Sequence, residues 1–228
     1  MNNKITFKHK LKQTIFYRLF DSTRQLFRIK RDREEKNRTK IELKQENIQH
    51  LKTLLNREEL LKCMPKNKVV AELGVDHGDF SEFILKITSP QKLHLIDVWE
   101  GGRYHDGLNN VVKTKFKKEI DEGLVEMNIG YSTEVLLDFP DNYFDWVYLD
   151  TDHSYKTTKD ELALLKLKVK PGGIIAGHDY TIGNWVEHNR YGVIEAINEF
   201  CVNENWEIIF LTVEANYYRS FAIKKILS

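Results

Sequence analysis

The sequence predicts an α/β fold built on an open, mostly parallel sheet, and three observations carry that prediction. The stretch Val69–Gly78, VVAELGVDHG, followed by DFSEFILK, reads as strand, tight glycine turn and amphipathic helix, the opening of a nucleotide-binding βα unit. Further short apolar runs at Lys92–Val98, near Val125–Ile129, from Phe144 and at Ile174–Gly177 are separated by segments of helical spacing. Parallel neighbours need such crossovers. The runs before Asp150 and His178 are too apolar for sheet edges, so they belong at the centre.

The 228 residues, 41% apolar, suffice for one full core with an appendage. Net charge is +1, which argues against a general nucleic-acid binder, but residues 1–50 hold 14 Lys/Arg against 6 Asp/Glu. That arm is basic and the body acidic. Cys63 and Cys201 form neither a disulfide framework nor a C-x-x-C metal site, so a reduced, cytoplasmic protein is expected. No run is long enough to span a bilayer, and no secretory signal is legible at the N-terminus.

Residues 1–56 are expected to form a basic helical extension and 57–228 the main domain. Phe7, Leu11, Ile15, Phe16, Leu19, Phe20, Leu26 and Phe27 recur at roughly helical spacing among Lys and Arg. Such a helix packs on the body or on a dimer mate, lies peripherally on an anionic membrane surface, or stays a free arm. Residues 30–47 are charged with few apolar anchors, and a short helix around Arg57–Cys63 leads through Pro65-Lys66-Asn67-Lys68 into the first strand.

Glu72 stands at the carboxyl end of that strand, where open α/β sheets bind ligands, and Gly74 and Gly78 allow close backbone approach. The loop is not the dinucleotide fingerprint, because Asp76 occupies its second glycine position. Asp97 ends the second strand, where a carboxylate can accept hydrogen bonds from a ribose diol. Trp99 is placed to cover an adenosine or to pack. The polar, glycine-containing stretch Glu100–Asn110 suits a lid or a plain connection. A helix over Asn110–Glu122 follows, then the third strand and the turn Gly130-Tyr131-Ser132. In FDWVYLDTDHSY, Asp150, Asp152 and His153 crowd a strand end. The helix Thr157–Leu167 is read with Leu162, Leu165 and Leu167 inward, and Lys170-Pro171-Gly172-Gly173 turns into a strand ending at His178-Asp179-Tyr180. Two adjacent strand ends thus deliver two Asp and two His to one edge.

The order ELGVDHG, LIDVW, FDWVYLDTDHSY, KPGGIIAGHDY resembles the class I S-adenosylmethionine (SAM) methyltransferases, especially the sugar and macrolide O-methyltransferase branch with D-x-D-H-x-Y and H-D-Y motifs. The resemblance covers roughly residues 60–228. It implies a Rossmann-like, seven-stranded sheet closed by an antiparallel hairpin of Glu207–Val213 and Tyr217–Lys224, segments that do alternate. It also implies that Glu72, Gly74, Gly78, Asp97, Trp99 and Ser132 bind SAM, with Ser132 beside the adenine. In that branch the positions of Asp150, His178 and Asp179 hold a divalent cation such as Mg²⁺ or Mn²⁺, and that of His153 supplies the general base. The chemistry is coherent: a sugar hydroxyl attacks a sulfonium methyl poorly until a cation lowers its pKa or an imidazole takes its proton. This chain departs from the branch at His178, where an acid is usual, which favours manganese over magnesium, or a His178 that turns away, or no metal.

The loop Thr181–Gly192 mixes Trp185, Glu187, His188, Arg190 and Tyr191, which suits either a sugar, with Arg190 available to a phosphate or carboxylate on it, or a surface loop packed by its own aromatics. The expectation is a SAM-dependent O-methyltransferase of a sugar, nucleotide-sugar or glycan precursor, cytoplasmic or at the membrane surface, compatible with a homo-oligomer. Two alternatives stand beside it: a metal-dependent hydroxylase-like enzyme on the same scaffold, and a non-catalytic partner working through the basic helix.

Overall fold

A computed structural model describes residues 21–99, 107–184, 186–216 and 218–226. The chain divides into two compact units, residues 1–40 and 41–228. In the first, residues 21–36 are helical, and Leu26, Phe27 and Ile29 are exposed. The more N-terminal apolar positions of the expected basic helix, Phe7 to Phe20, lie outside the described residues.

The second unit contains strands β1 (Lys52–Leu54), β2 (Val69–Leu73), β3 (Lys92–Asp97), β4 (Val125–Ile129), β5 (Phe144–Leu149), β6 (Val169–Gly177), β7 (Gly183–Asn184), β8 (Asn189–Arg190), β9 (Trp206–Thr212) and β10 (Phe221–Lys225). Its main helices are α1 (Arg57–Cys63), α2 (Asp79–Thr88), α3 (Leu108–Lys115), α4 (Lys117–Asp121), α5 (Ser132–Val135), α6 (Tyr155–Lys168) and α7 (Val193–Glu204). Eight strands form one sheet in the order β1-β9-β10-β6-β5-β2-β3-β4. From β6 to β4 all pairings are parallel, while β10 runs antiparallel to both β6 and β9. This is the expected Rossmann-like fold with its antiparallel hairpin. The eighth strand is β1, which pairs in parallel with β9. The compact unit therefore reaches further toward the N-terminus than the boundary expected after residue 56.

The central strands are covered on both faces, as parallel sheets require. Ala71, Leu73, Val147, Leu149 and Ile175 share a cluster with Leu162, Leu165 and Ile197 of α6 and α7. Val70, Leu95, Trp146 and Tyr148 alternate to the other face and join Leu60, Leu61, Phe80 and Ile84 of α1 and α2. The helix expected over Asn110–Glu122 is two helices, because the backbone at Phe116 leaves the helical region (φ −105°, ψ 22°) and its ring is buried. Strand β6 starts earlier than expected, at Val169, and takes the Pro-Gly-Gly stretch into the sheet with a register shift against β5.

Leu167 differs from expectation in the direction it faces. At 100° per residue it lies about 140° round the helix from Leu162, and it is 49% exposed, whereas Leu162 and Leu165 are buried. Leu162→Ala should therefore lower unfolding stability by about 2–5 kcal/mol. Leu167→Ala should stay within about 0.5 kcal/mol of wild type in the same urea titration.

Candidate active site

The chain leaves β2 toward β3 and β4 on one side, then returns to build β5 and β6 on the other. The crevice of such a sheet lies at the carboxyl ends of the strands flanking that reversal, here β2 and β5. Gly74 is held there by two strands: its N–H donates to the Ile96 carbonyl at 2.9 Å, while the Asp150 N–H donates to the Leu73 carbonyl at 2.7 Å. Gly74 has φ +83°, and a Cβ on it would stand 1.9 Å from the Asp150 carbonyl oxygen. A Cβ on Gly78 (φ +73°) would stand 2.7 Å from the Phe116 ring. Both glycines are thus demanded by the protein's own packing, a reason the sequence reading, which gave them to the ligand, did not include.

Around this turn the predicted cofactor residues are tied into the protein's own hydrogen bonds. Glu72 is buried and accepts a hydrogen bond from the Ser81 hydroxyl. Burial pushes its carboxyl up to about 8, with the Asp150 charge adding to the rise and the Ser81 bond opposing it. Asp97, also buried, accepts the N–H groups of Val75 (2.7 Å) and Asp76 (3.0 Å) on Oδ2 and that of Trp99 (2.9 Å) on Oδ1. A carboxylate has about four acceptor sites, so one remains for a ligand. Trp99 is packed rather than open: it is 6% exposed, and its indole N–H braces the loop through the Asp76 carbonyl at 3.0 Å. Ser132 donates to the buried Glu161, whose other oxygen accepts from the Thr151 hydroxyl at 3.1 Å. Glu161 joins the ends of β4 and β5. Sequence reasoning passed over it, although with Thr158, Leu162 and Leu165 it occupies the i, i+3, i+4, i+7 stripe of a buried helix face.

The ends of β5 and β6 bring Asp150, His153, His178 and Asp179 together as expected. His153 Nε2 lies 3.2 Å from Asp179 Oδ2, and its Nδ1 lies 3.9 Å from Asp150 Oδ1. His178 Nδ1 lies 3.5 Å from Asp179 Oδ2 and 3.7 Å from Asp150 Oδ2. Asp152 points elsewhere, accepting the Ser154 N–H and the Thr157 hydroxyl. Burial raises the Asp150 carboxyl, against the pull of His178. For His178, burial opposes protonation, but the bond to Asp179 and the Asp150 charge outweigh it and the imidazole is raised. Asp179 Oδ1 is buried with no hydrogen-bond partner among the described residues. Donor atoms of Asp150, His153 and Asp179 all lie within 4.8 Å of one another, a set able to hold a metal ion.

The turns at this edge are conformationally costly. Trp99, His153 and Asp179 all have positive φ, at 44°, 60° and 59°, a region costing an L-residue roughly 1–2 kcal/mol. Such strain gathers where structure fixes a functional side chain. The loop expected over Thr181–Gly192 folds into the β7–β8 hairpin. Its Tyr191 ring packs 4.6 Å from the His153 ring, and the Gly192 N–H donates to the His153 carbonyl at 2.8 Å. Arg190 is not aimed at a ligand, because its guanidinium bonds the Ile182 and Tyr191 carbonyls and Glu195. Trp185 and the lid stretch Glu100–Asp106 lie outside the described residues.

Glu161 gives this arrangement a pH signature. Burial pushes its carboxyl up to about 8, opposed by the Ser132 and Thr151 bonds. Below about pH 4.5 both folded and unfolded chains hold that proton. Between about 4.5 and 8 only the folded chain does, so this group lowers stability as pH rises. Glu161→Gln, neutral throughout, should gain stability relative to wild type between pH 5 and pH 8, measured by urea unfolding at both.

Residues 71–180 match the family model for the methyltransferase domain. No curated protein sequence matches the chain at a significant level. Among solved structures, a SAM-dependent methyltransferase from Aquifex aeolicus aligns with TM-score 0.55 at 16% identity, over 76% of this chain and 91% of that one. The SMU.1697c protein of Streptococcus mutans, solved in complex with SAH, aligns with TM-score 0.54 at 12% identity, over 75% and 96%. The pyocyanin biosynthetic protein PhzM aligns with TM-score 0.57 at 12% identity over 75% of this chain, which spans 55% of its length. At these identities the structures speak for the fold alone, and the match to the methyltransferase-domain model is confined to residues 71–180, a little under half of the chain.

Proposed function

We propose that the chain is a SAM-dependent O-methyltransferase acting on a hydroxyl of a sugar, nucleotide sugar or glycan precursor, with His153 as the proton acceptor. The observation that carries this reading is His153 between two carboxylates beside the switch point. His153 Nε2 lies 3.2 Å from Asp179 Oδ2, and the tautomer that carries its proton on Nε2, facing that carboxylate, leaves the lone pair on Nδ1. The acceptor hydroxyl gives its proton to Nδ1 as its oxygen bonds the methyl carbon. The S–CH₃ bond breaks with its electron pair going to sulfur, leaving S-adenosylhomocysteine. Tyr191 walls the imidazole on one side, and alignment of hydroxyl with methyl supplies much of the acceleration. With Arg190 committed to Glu195, it no longer supports an anionic sugar.

A second reading, a divalent cation at the same cluster, is favoured by the unpartnered Asp179 Oδ1. Two carboxylates and an imidazole fit manganese better than magnesium. Asp150 and Asp179 would hold it, with His178 in the expected set and His153 in the set whose donor atoms converge. When bound it would lower the pKa of the acceptor hydroxyl.

For the arm, the exposed Leu26, Phe27 and Ile29 among Arg24, Arg28 and Arg31 support peripheral contact with an anionic membrane. No described helix is long and apolar enough to cross one. Pelleting with anionic vesicles should depend on residues 1–40, and equal pelleting of a chain lacking them would remove this contact.

Calorimetric titration should give micromolar binding of S-adenosylhomocysteine and none of NAD. His153→Ala should keep that binding while methyl transfer to a neutral sugar falls by about 10²–10⁴-fold. If chelation abolishes transfer and Mn²⁺ restores it, the cation reading holds and His153 is assigned accordingly. Failure of the folded protein to bind S-adenosylhomocysteine would sink the methyltransferase reading.

A further inference from the structure

Arg57 is the first residue of α1, and its backbone N–H donates to Glu214 Oε1 at 2.7 Å, which fixes where the side chain starts. Its guanidinium lies 4.7 Å from the centroid of the Phe80 ring, and Phe80 in turn packs 4.3 Å from Tyr148, a wholly buried residue of β5. The charge is therefore seated on an aromatic shelf above the β2 and β5 strand ends, since Phe80 belongs to the first turn of the helix that follows the Gly74–Gly78 loop. No carboxylate lies within ion-pair distance of it among the described residues, in contrast to Arg190, Lys115 and Lys168. Its field nevertheless reaches Glu72, Tyr148, Asp150 and His178.

SAM carries two cationic groups, the sulfonium and the α-amino group, and one anion, the methionyl carboxylate. Asp97, Asp150 and Asp179 make this edge acidic, which suits the cations and repels the carboxylate. Asp97 marks the ribose end on β3. Asp150 lies two strands away, about 10 Å at the usual spacing, so the methionyl arm crosses the switch point toward β5 if the methyl is to reach His153. Resting on the methyltransferase reading, we infer that Arg57, held over Phe80, binds the methionyl carboxylate of SAM. Guanidinium suits the task, as it offers paired donors to a carboxylate while its face stays on the ring.

The test compares S-adenosylhomocysteine with 5′-methylthioadenosine, which shares the adenosine and lacks the amino-acid arm, by calorimetry on wild type, Arg57→Gln and Arg57→Lys. Thermal unfolding of each confirms the fold. Arg57→Gln should weaken S-adenosylhomocysteine by about 10- to 100-fold, as for loss of a charge-assisted hydrogen bond. Arg57→Lys should fall between, and methylthioadenosine should change less than about twofold in both. Unchanged S-adenosylhomocysteine binding overturns the inference, and a raised KM for an anionic acceptor alongside it would move Arg57 to the acceptor side. Equal weakening of both ligands also overturns it, by making Arg57 a brace for the loop. A wild-type protein that binds methylthioadenosine as tightly as S-adenosylhomocysteine overturns the inference but leaves the nucleoside site standing, whereas one that binds neither takes down the methyltransferase reading itself.

Discussion

The close approach of Gly74 to Asp150 is the constraint on which the rest of the site depends. Two neighbouring parallel strands end there, and the chain must turn away from both within the space of one missing Cβ. Because the Gly74 N–H is bonded to β3 and the Asp150 N–H to β2, three strand ends are locked together before any ligand is considered. From that lock the loop presents the Val75 and Asp76 N–H groups to Asp97, and Asp150 emerges beside the loop at the end of β5. A side chain at position 74 would separate the two halves of the crevice.

Strand ends are also where buried carboxyls gather, and the protein limits the repulsion among them. Glu72 sits one strand from Asp150, and burial holds its proton up to about pH 8, so it adds no second negative charge beside Asp150 over most of the neutral range. Glu161 does the same beneath the β4 and β5 ends while accepting from Ser132 and Thr151. The two glutamates act as hydrogen-bonding struts. Asp150 and Asp179 are instead matched against two imidazoles, and at His178 burial, which opposes protonation, is outweighed by the pull of these two carboxylates.

What was legible in the sequence follows from range. Strands β2 to β5 are coded locally, by apolar runs ending in Glu72, Asp97 and Asp150, and the structure returned them nearly residue for residue, whereas the helix expected over Asn110–Glu122 breaks in two at Phe116. The convergence of Asp150, His153, His178 and Asp179 was legible too, because adjacent parallel strands must share an edge. The hydrogen-bond partners of those residues were not, since Ser81 on Glu72, Glu161 on Ser132 and Phe80 under Arg57 depend on which helix face meets which strand end. Strand β1 was missed for a similar reason. Three residues, KTL, carry no period, and only pairing with β9 makes them a strand.

The fold then separates two tasks along the chain. The ends of β2, β3 and β4 bear the residues expected to hold the cofactor, while Asp150, His153, His178 and Asp179 gather at the ends of β5 and β6 beside the β7–β8 hairpin. The family-matched segment stops at Tyr180, just before that hairpin at 183–190. The end of the hairpin is bound to His153 directly, through Tyr191 against its ring and the Gly192 N–H on its carbonyl. A Cβ at Gly192 would stand 2.3 Å from the Tyr155 backbone nitrogen, so the hairpin's exit is as tightly fitted as the Gly74 turn. Loops fixed at both ends on a rigid scaffold are where α/β enzymes vary their substrates while keeping their chemistry. On the proposed function, residues 181–192 are the segment in which an acceptor preference would be written, and swapping them should change which hydroxyl is used before it changes how the cofactor is held.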